Sequence, residues 1–250
     1  MDKTINIPDA YSIPLEDFDV ANADLFEQNA FWPYFERLRK EEPIHYCTNN
    51  EDFGPYWSVT KYKDIMNVDT NHKVFSSEDA ITLVDQQEDF VTPMFIAMDP
   101  PKHDIQRKAV NPVVAPSNLK NMEALIRERT QNVLDSLPRK ETFNWVENVS
   151  IELTTQMLAT LFDFPFEDRA KLTYWSDVAT ARPGDGVIEN LEDRNEILLE
   201  CLEYFTKLWN ERVNSEPKTD LISMLAHNPQ TRNMDPMEYL GNLILLIVGG

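Results

Sequence analysis

Apolar residues recur three and four positions apart through most of the chain, and that spacing predicts helices. Phe31, Tyr34, Phe35 and Leu38 mark a first helix over Phe31–Glu42, ended by Pro43. Residues 1 to about 28 read as an extended acidic lead-in with Pro8 and Pro14. Two short runs rich in β-branched and aromatic residues, Ile44–Cys47 and Tyr56–Thr60, read as strands, with Gly54-Pro55 turning the chain before the second. Thr60 is placed to cap a helix through Val68, with Tyr62, Ile65 and Met66 on its apolar side. Residues 74–98 hold Phe75, Phe90, Val91, Met94, Phe95, Ile96 and Met98 without helical spacing. Long apolar-rich connections of this kind are often functional.

The second half is more regular. Asp99-Pro100-Pro101 combines an N-cap with proline at the first helical position and predicts a helix to about Val110. A longer helix is expected over Ser117–Leu137, ended by Pro138. Asn144 and Glu147 form a capping-box pattern that opens a helix carrying Val149, Leu153, Met157, Leu158 and Leu161. Further helices are expected over Phe166–Val178, Val187–Asn214 and Asp220–Ala226, with a loop over Ala179–Gly186. The inner face of Val187–Asn214 includes Ile197, Leu198, Leu202, Phe205 and Leu208. Asp235-Pro236 with Glu238 starts a last helix that is still apolar at Gly249-Gly250. No repeat and no dividing linker is visible. The fold class is therefore mainly α with a small N-terminal β-sheet, in a single domain over residues 1–250.

Composition narrows the function classes. Only 6 Gly stand against 16 Pro, which suits helices punctuated by proline better than strands joined by tight turns. The formal net charge of -20 disfavours nucleic acid and anionic membrane surfaces as partners. Two cysteines, Cys47 and Cys201, exclude a disulfide framework and a CxxC site. The polar start, Met1–Tyr11, has no apolar core of a secretory signal, and the longest apolar run, Leu243–Val248, is far too short for a membrane span. A cytoplasmic protein with no membrane span is expected.

The candidate chemistry lies in Phe95–Val110, FIAMDPPKHDIQRKAV. His103 and Arg107 are four apart on a helix and project from one face. A guanidinium fork beside an imidazole makes a clamp for a carboxylate; a solvated surface pair is the competing reading. The run D-P-P-x-H-x-x-x-R resembles the C-helix motif of the cytochrome P450 superfamily. Phe75-Ser76-Ser77 is similar to the family's F-S-S at the start of the B–C connection, and LLIVGG, Leu245–Gly250, to the first half of its oxygen-binding I helix. The segments LIRERT and VSIELTTQMLATLFDFPFEDRAKLTYWSDVAT extend the likeness to the bacterial class I subfamily that hydroxylates the terminal carbon of medium-chain alkanes.

The resemblance implies the N-terminal part of the P450 fold, helix A to the start of helix I, with haem b as cofactor. It implies that His103 and Arg107 bind a haem propionate and that Gly249 and Gly250 open the notch over the oxygen site. By themselves the two glycines read equally as a helix C-cap. Candidate substrate walls are Phe90, Val91, Met94, Phe95 and Ile96, with the loop Arg182–Ile188 where the family has its lid. Electrons would come from NAD(P)H through a ferredoxin reductase and a ferredoxin, and Lys102, Arg107 and Lys108 would face the ferredoxin. The family's haem-ligand loop, F-x-x-G-x-x-x-C-x-G, is not matched. Asn49 stands after Cys47, and Glu203 after Cys201, where that loop has glycine. The E-x-x-R of the K helix and the acid and threonine of the I helix are also missing. The chain is thus expected to be a fragment without metal ligand or catalytic residue, its function that of the parent. Fatty-acid or terpene hydroxylation and a non-enzymatic helical binding module are the rival readings. Arg182 is the cation a carboxylate substrate would need.

Overall fold

The computed structural model describes residues 6–78, 81–84 and 86–249. The chain forms two compact units, Met1–Gln86 and Gln87–Gly250.

In the first unit, α1 (Ala23–Glu27) and α2 (Phe31–Glu41) precede strands β1 (Ile44–Cys47) and β2 (Tyr56–Val59) and helix α3 (Tyr62–Asp69). The lead-in is not simply extended. It carries a 3-10 turn, Leu15–Asp17, and α1, and it delivers Phe18 and Leu25 to a core completed by Tyr34 and Leu38 of α2. The strands pair antiparallel, Ile44 opposite Val59 and Cys47 opposite Tyr56. Alternation puts His45 and Cys47 inside, and Ile44 and Tyr46 outside. Tyr46 and Trp57, directly opposite, pack their rings 4.6 Å apart on the exposed face.

One expectation fails here, and one apolar face stays open. Thr60 does not cap α3, because its hydroxyl donates to the Pro43 carbonyl (3.0 Å) and leaves Lys61 at the N-cap without a side-chain bond. The apolar side of α3 is not buried either: Tyr62, Ile65 and Met66 are all exposed. Amphipathic spacing identifies a face, not an element to cover it.

The second unit contains α4 (Lys102–Val110), α5 (Pro116–Asp135), α6 (Glu152–Phe162), α7 (Ala170–Thr180), α8 (Leu191–Val213), α9 (Leu221–His227) and α10 (Pro236–Val248). Its core runs through Phe162, Leu172, Val178, Leu198, Phe205, Ile222, Leu240 and Leu243, all essentially inaccessible to solvent. α10 packs on α7 and α8. It is apolar nearly all round, and it buries Tyr239 to Leu243 and Ile247.

Boundaries depart from expectation where prolines and glycines act. α4 begins at Lys102, not at Asp99, because Asp99 and Pro100 each precede a proline and are held out of the helical region. Asp99 contributes its carbonyl, which accepts from the His103 N–H (3.2 Å). α8 begins at Leu191, four residues later than expected. The Asp185 carboxylate accepts the N–H groups of Arg182 (2.8 Å) and Val187 (2.9 Å), and Gly184 and Gly186 take positive φ, so the loop runs on to the Asn190 cap. Asn144 does cap, accepting from Val146 (3.0 Å), but the turn it opens, Val146–Ile151, is a π-helix leading into α6. Asp220 and Asp235 cap α9 and α10. Among the described residues, no helix is long and apolar enough to cross a membrane.

Candidate functional site

α4 carries the predicted pair. His103 is half-buried, and its Nδ1 lies 2.7 Å from the Phe95 carbonyl oxygen, which can only accept. Nδ1 therefore carries the proton, and Nε2 is the ring's remaining polar atom. It accepts when the ring is neutral and donates when the ring is an imidazolium. One helical turn on, Arg107 is exposed, and its guanidinium has no hydrogen-bond or ion-pair partner among the described residues. With the ring protonated, this donor set suits a carboxylate. Lys102 is set apart from the basic cluster, because its Nζ pairs with Glu238 of α10 at 2.8 Å.

The carbonyl that fixes His103 belongs to a short 3-10 turn, Phe95–Ala97. The Phe95 N–H in turn donates to Oδ1 of Asn242 on α10 (2.9 Å). The Asn242 amide donates to Oε1 of Gln106 (2.8 Å), and Gln106 donates to Glu238. Gln106 and Asn242 are both buried. Beside them, Gly241 lets the preceding loop lie on α10. A Cβ there would overlap the Pro93 carbonyl oxygen and stand 2.7 Å from that of Thr92. Sequence reasoning passed over Gln106, Gly241 and Asn242, and read Glu238 only as a helix start. The available signal was an amide and a glycine inside the most apolar helix of the chain, where each needs a reason.

The five wall candidates differ in exposure. Phe95 is buried in the core and Phe90 packs against that core, Met94 is half-buried, and Val91 and Ile96 are exposed. A cavity of about 260 Å³ between α6, α7 and α10 is lined instead by Ser150, Thr154, Thr155, Thr173, Ser176 and Ile247 among others, and by none of the five. Arg182 is exposed on its loop, whereas half-buried Arg194 donates to the Ala179 carbonyl at the end of α7 (3.1 Å). The Gly249 N–H donates to the Leu245 carbonyl (2.9 Å), and Gly250 lies outside the described residues.

A haem would find part of its needs here. His103 and Arg107 fit a propionate by their donor chemistry. An axial thiolate does not come from the described residues: Cys47 and Cys201 are both fully buried, and burial pushes the Cys201 thiol well above its ordinary range. Among the described residues, no three His, Cys, Asp or Glu side chains gather as a metal site.

No family model matches the chain. Individual proteins do. The structure of CYP153D17 from Sphingomonas sp. PAMC 26605 is 46% identical, superposes with a TM-score of 0.82, and is matched over 95% of this chain and 60% of its own. Cytochrome P450-153 from Novosphingobium aromaticivorans is 42% identical with a TM-score of 0.82, over 93% of this chain and 59% of its own. Linalool 8-monooxygenase of Pseudomonas putida is 28% identical over 93% of this chain and 60% of its own length. The chain thus spans about three fifths of the length of the proteins it matches. On this superposition and this level of identity over nearly all of its residues, the chain belongs to the cytochrome P450 superfamily.

Proposed function

We propose that the whole protein is a haem-dependent monooxygenase that hydroxylates the terminal carbon of medium-chain alkanes. The observation that carries the reading is the His103–Arg107 donor pair on α4, with the imidazole held by the Phe95 carbonyl. The likeness to two solved P450-153 structures supports the narrower substrate class. His103 Nε2 and the Arg107 fork would hold a haem propionate. Haem, once bound, would supply the activation of dioxygen, with electrons from NAD(P)H through a ferredoxin reductase and a ferredoxin. The protein's own part is to place an unreactive chain. An alkane offers no polar handle, so its site must be apolar and shaped, and Phe90, Val91, Met94, Phe95 and Ile96 are the proposed walls. Gly249 and Gly250 would keep side chains out of the oxygen site.

The test is expression of the whole coding sequence, reduction, and addition of carbon monoxide. A strongly red-shifted, thiolate-type Soret band is expected. The Arg107→Ala variant should bind haem about tenfold more weakly, the loss of one charge-assisted contact. Incubation with octane, ferredoxin, reductase and NADH should then give mainly the 1-alkanol. A protein that folds without any haem band rejects the reading. Preferential oxidation of linalool would favour terpene hydroxylation, the second reading, which the likeness to linalool 8-monooxygenase supports.

A further inference from the structure

The polar groups around Phe95 form a closed circuit. It leaves α4 at Lys102 and Gln106, crosses to Glu238 and Asn242 on α10, passes to the Phe95 peptide, and returns to α4 at His103. Every direction in it is fixed by chemistry. The Phe95 N–H only donates, so the oxygen of the Asn242 amide must face it. The nitrogen of that amide must then donate to Gln106 Oε1, and Gln106 must donate to Glu238. Glu238 accepts at both oxygens, from Gln106 and from Lys102. On the far side, the Phe95 carbonyl holds the proton on His103 Nδ1. The backbone of one residue, with Asn242 at its N–H and His103 at its carbonyl, thus sets both the turn at residues 95–97 and the imidazole.

We infer that Asn242 is a positioning residue: acting through the Phe95 peptide, it fixes the orientation of His103 and of the neighbouring apolar turn for the group that His103 and Arg107 receive. The inference rests on the haem reading only for the identity of that group. Asn242 is remote from His103 in sequence and touches no proposed propionate donor; the Phe95 backbone links it to the imidazole, and Gln106 links it to α4.

Two substitutions separate positioning from mere packing. Asn242→Leu keeps the branching at Cγ and removes every hydrogen bond of the side chain. Asn242→Asp keeps an acceptor for the Phe95 N–H but loses the donation to Gln106 and sets a carboxylate near Glu238. Both should lower stability. Amide exchange at Phe95 and the His103 Nδ1–H resonance should respond only to leucine, with exchange about tenfold faster and the resonance broadened, while aspartate preserves both. Gln106→Leu, which frees the Asn242 amide without removing it, serves if leucine at 242 prevents folding. It should speed Phe95 exchange by a smaller factor. Unchanged Phe95 and His103 signals in Asn242→Leu, or signals that simply track stability in both variants, would overturn the inference. Haem affinity is read separately and should fall about tenfold in Asn242→Leu. If it is insensitive to His103→Ala and Asn242→Leu alike while the Phe95 and His103 signals still respond, the haem reading of His103 fails and the positioning stands.

Discussion

Two irregular stretches, residues 18–22 in the first unit and 92–98 in the second, are each held by one polar side chain, and the two side chains differ for a chemical reason. Around Asp19 every neighbour is a donor. The Tyr56 hydroxyl (2.7 Å) and the Ala21 N–H (3.1 Å) reach one carboxylate oxygen, and the Asn50 amide (2.8 Å) reaches the other. A carboxylate, which only accepts, suits such a place. Burial and the bond to Asp19 push the Tyr56 hydroxyl far above its ordinary range, so it remains a donor. Around Asn242 the Phe95 N–H donates, while Gln106 Oε1 and, at 3.4 Å, Met234 Sδ accept. Only an amide serves both. The lesson is that the donors and acceptors converging on an irregular segment dictate the side chain that holds it.

Removing the acid tests the first half of the comparison most severely. Asp19→Ala strands the Tyr56 hydroxyl and the Asn50 amide, while the Ala21 N–H keeps the Tyr56 oxygen (2.9 Å), and should cost about 3 kcal/mol. Urea unfolding, with amide exchange at residues 18–22, would show it; a loss under about 0.5 kcal/mol would mean water replaces the carboxylate. In the second unit, Gly241→Ala probes the close approach that lets Asn242 reach Phe95. Alanine normally favours a helix by up to about 1 kcal/mol, yet here its Cβ would meet two backbone carbonyl oxygens. A net loss of about 2 kcal/mol is expected, and a stabilised variant would show that the 92–93 segment does not rest on α10. Asp19→Asn is milder. It turns an NH2 toward donors and should cost about 1 kcal/mol, while an unchanged midpoint would remove the chemical distinction between the two hubs.

The parts of this arrangement were unequally legible in the sequence. Asp235 and Asp220 announced their helices because a cap acts within three residues. That His103 and Arg107 share one helix was legible for the same reason, four residues being one helical turn. The Asp99 cap misled because two prolines exert a steric effect that outweighs the cap. The start of α8 misled because Val187 and Ile188 are apolar, although Asp185 binds its own neighbours and keeps them in a loop. The circuit through Phe95 was hidden altogether. Asn242 and Phe95 are 147 residues apart, and hydrophobic periodicity carries no information about which distant peptide an amide will meet.

Asp220 provides the smallest and sharpest test, because it is a carboxylate in a setting unlike that of Asp19. Its Oδ1 accepts the Ser223 N–H (2.8 Å) as the cap of α9, while its buried Oδ2 has no partner. Burial raises its pKa, against the pull of the Ser223 N–H and Arg212. A carboxyl whose pKa is higher folded than unfolded binds its proton more tightly in the native state. Its stabilising contribution is complete below the unfolded value and is lost as pH rises through the folded one, where the native protein must hold a buried, half-satisfied charge. An amide in its place would keep the cap acceptor and carry no charge at any pH. Asp220→Asn should therefore be as stable as the parent or more so near pH 7, by less than about 1 kcal/mol. That advantage should disappear below about pH 3, where aspartate is itself protonated. Urea unfolding at the two pH values decides it. An equal difference at both would show that Asp220 is ionised at no cost, and that a single donor satisfies a buried carboxylate as well as the three that surround Asp19.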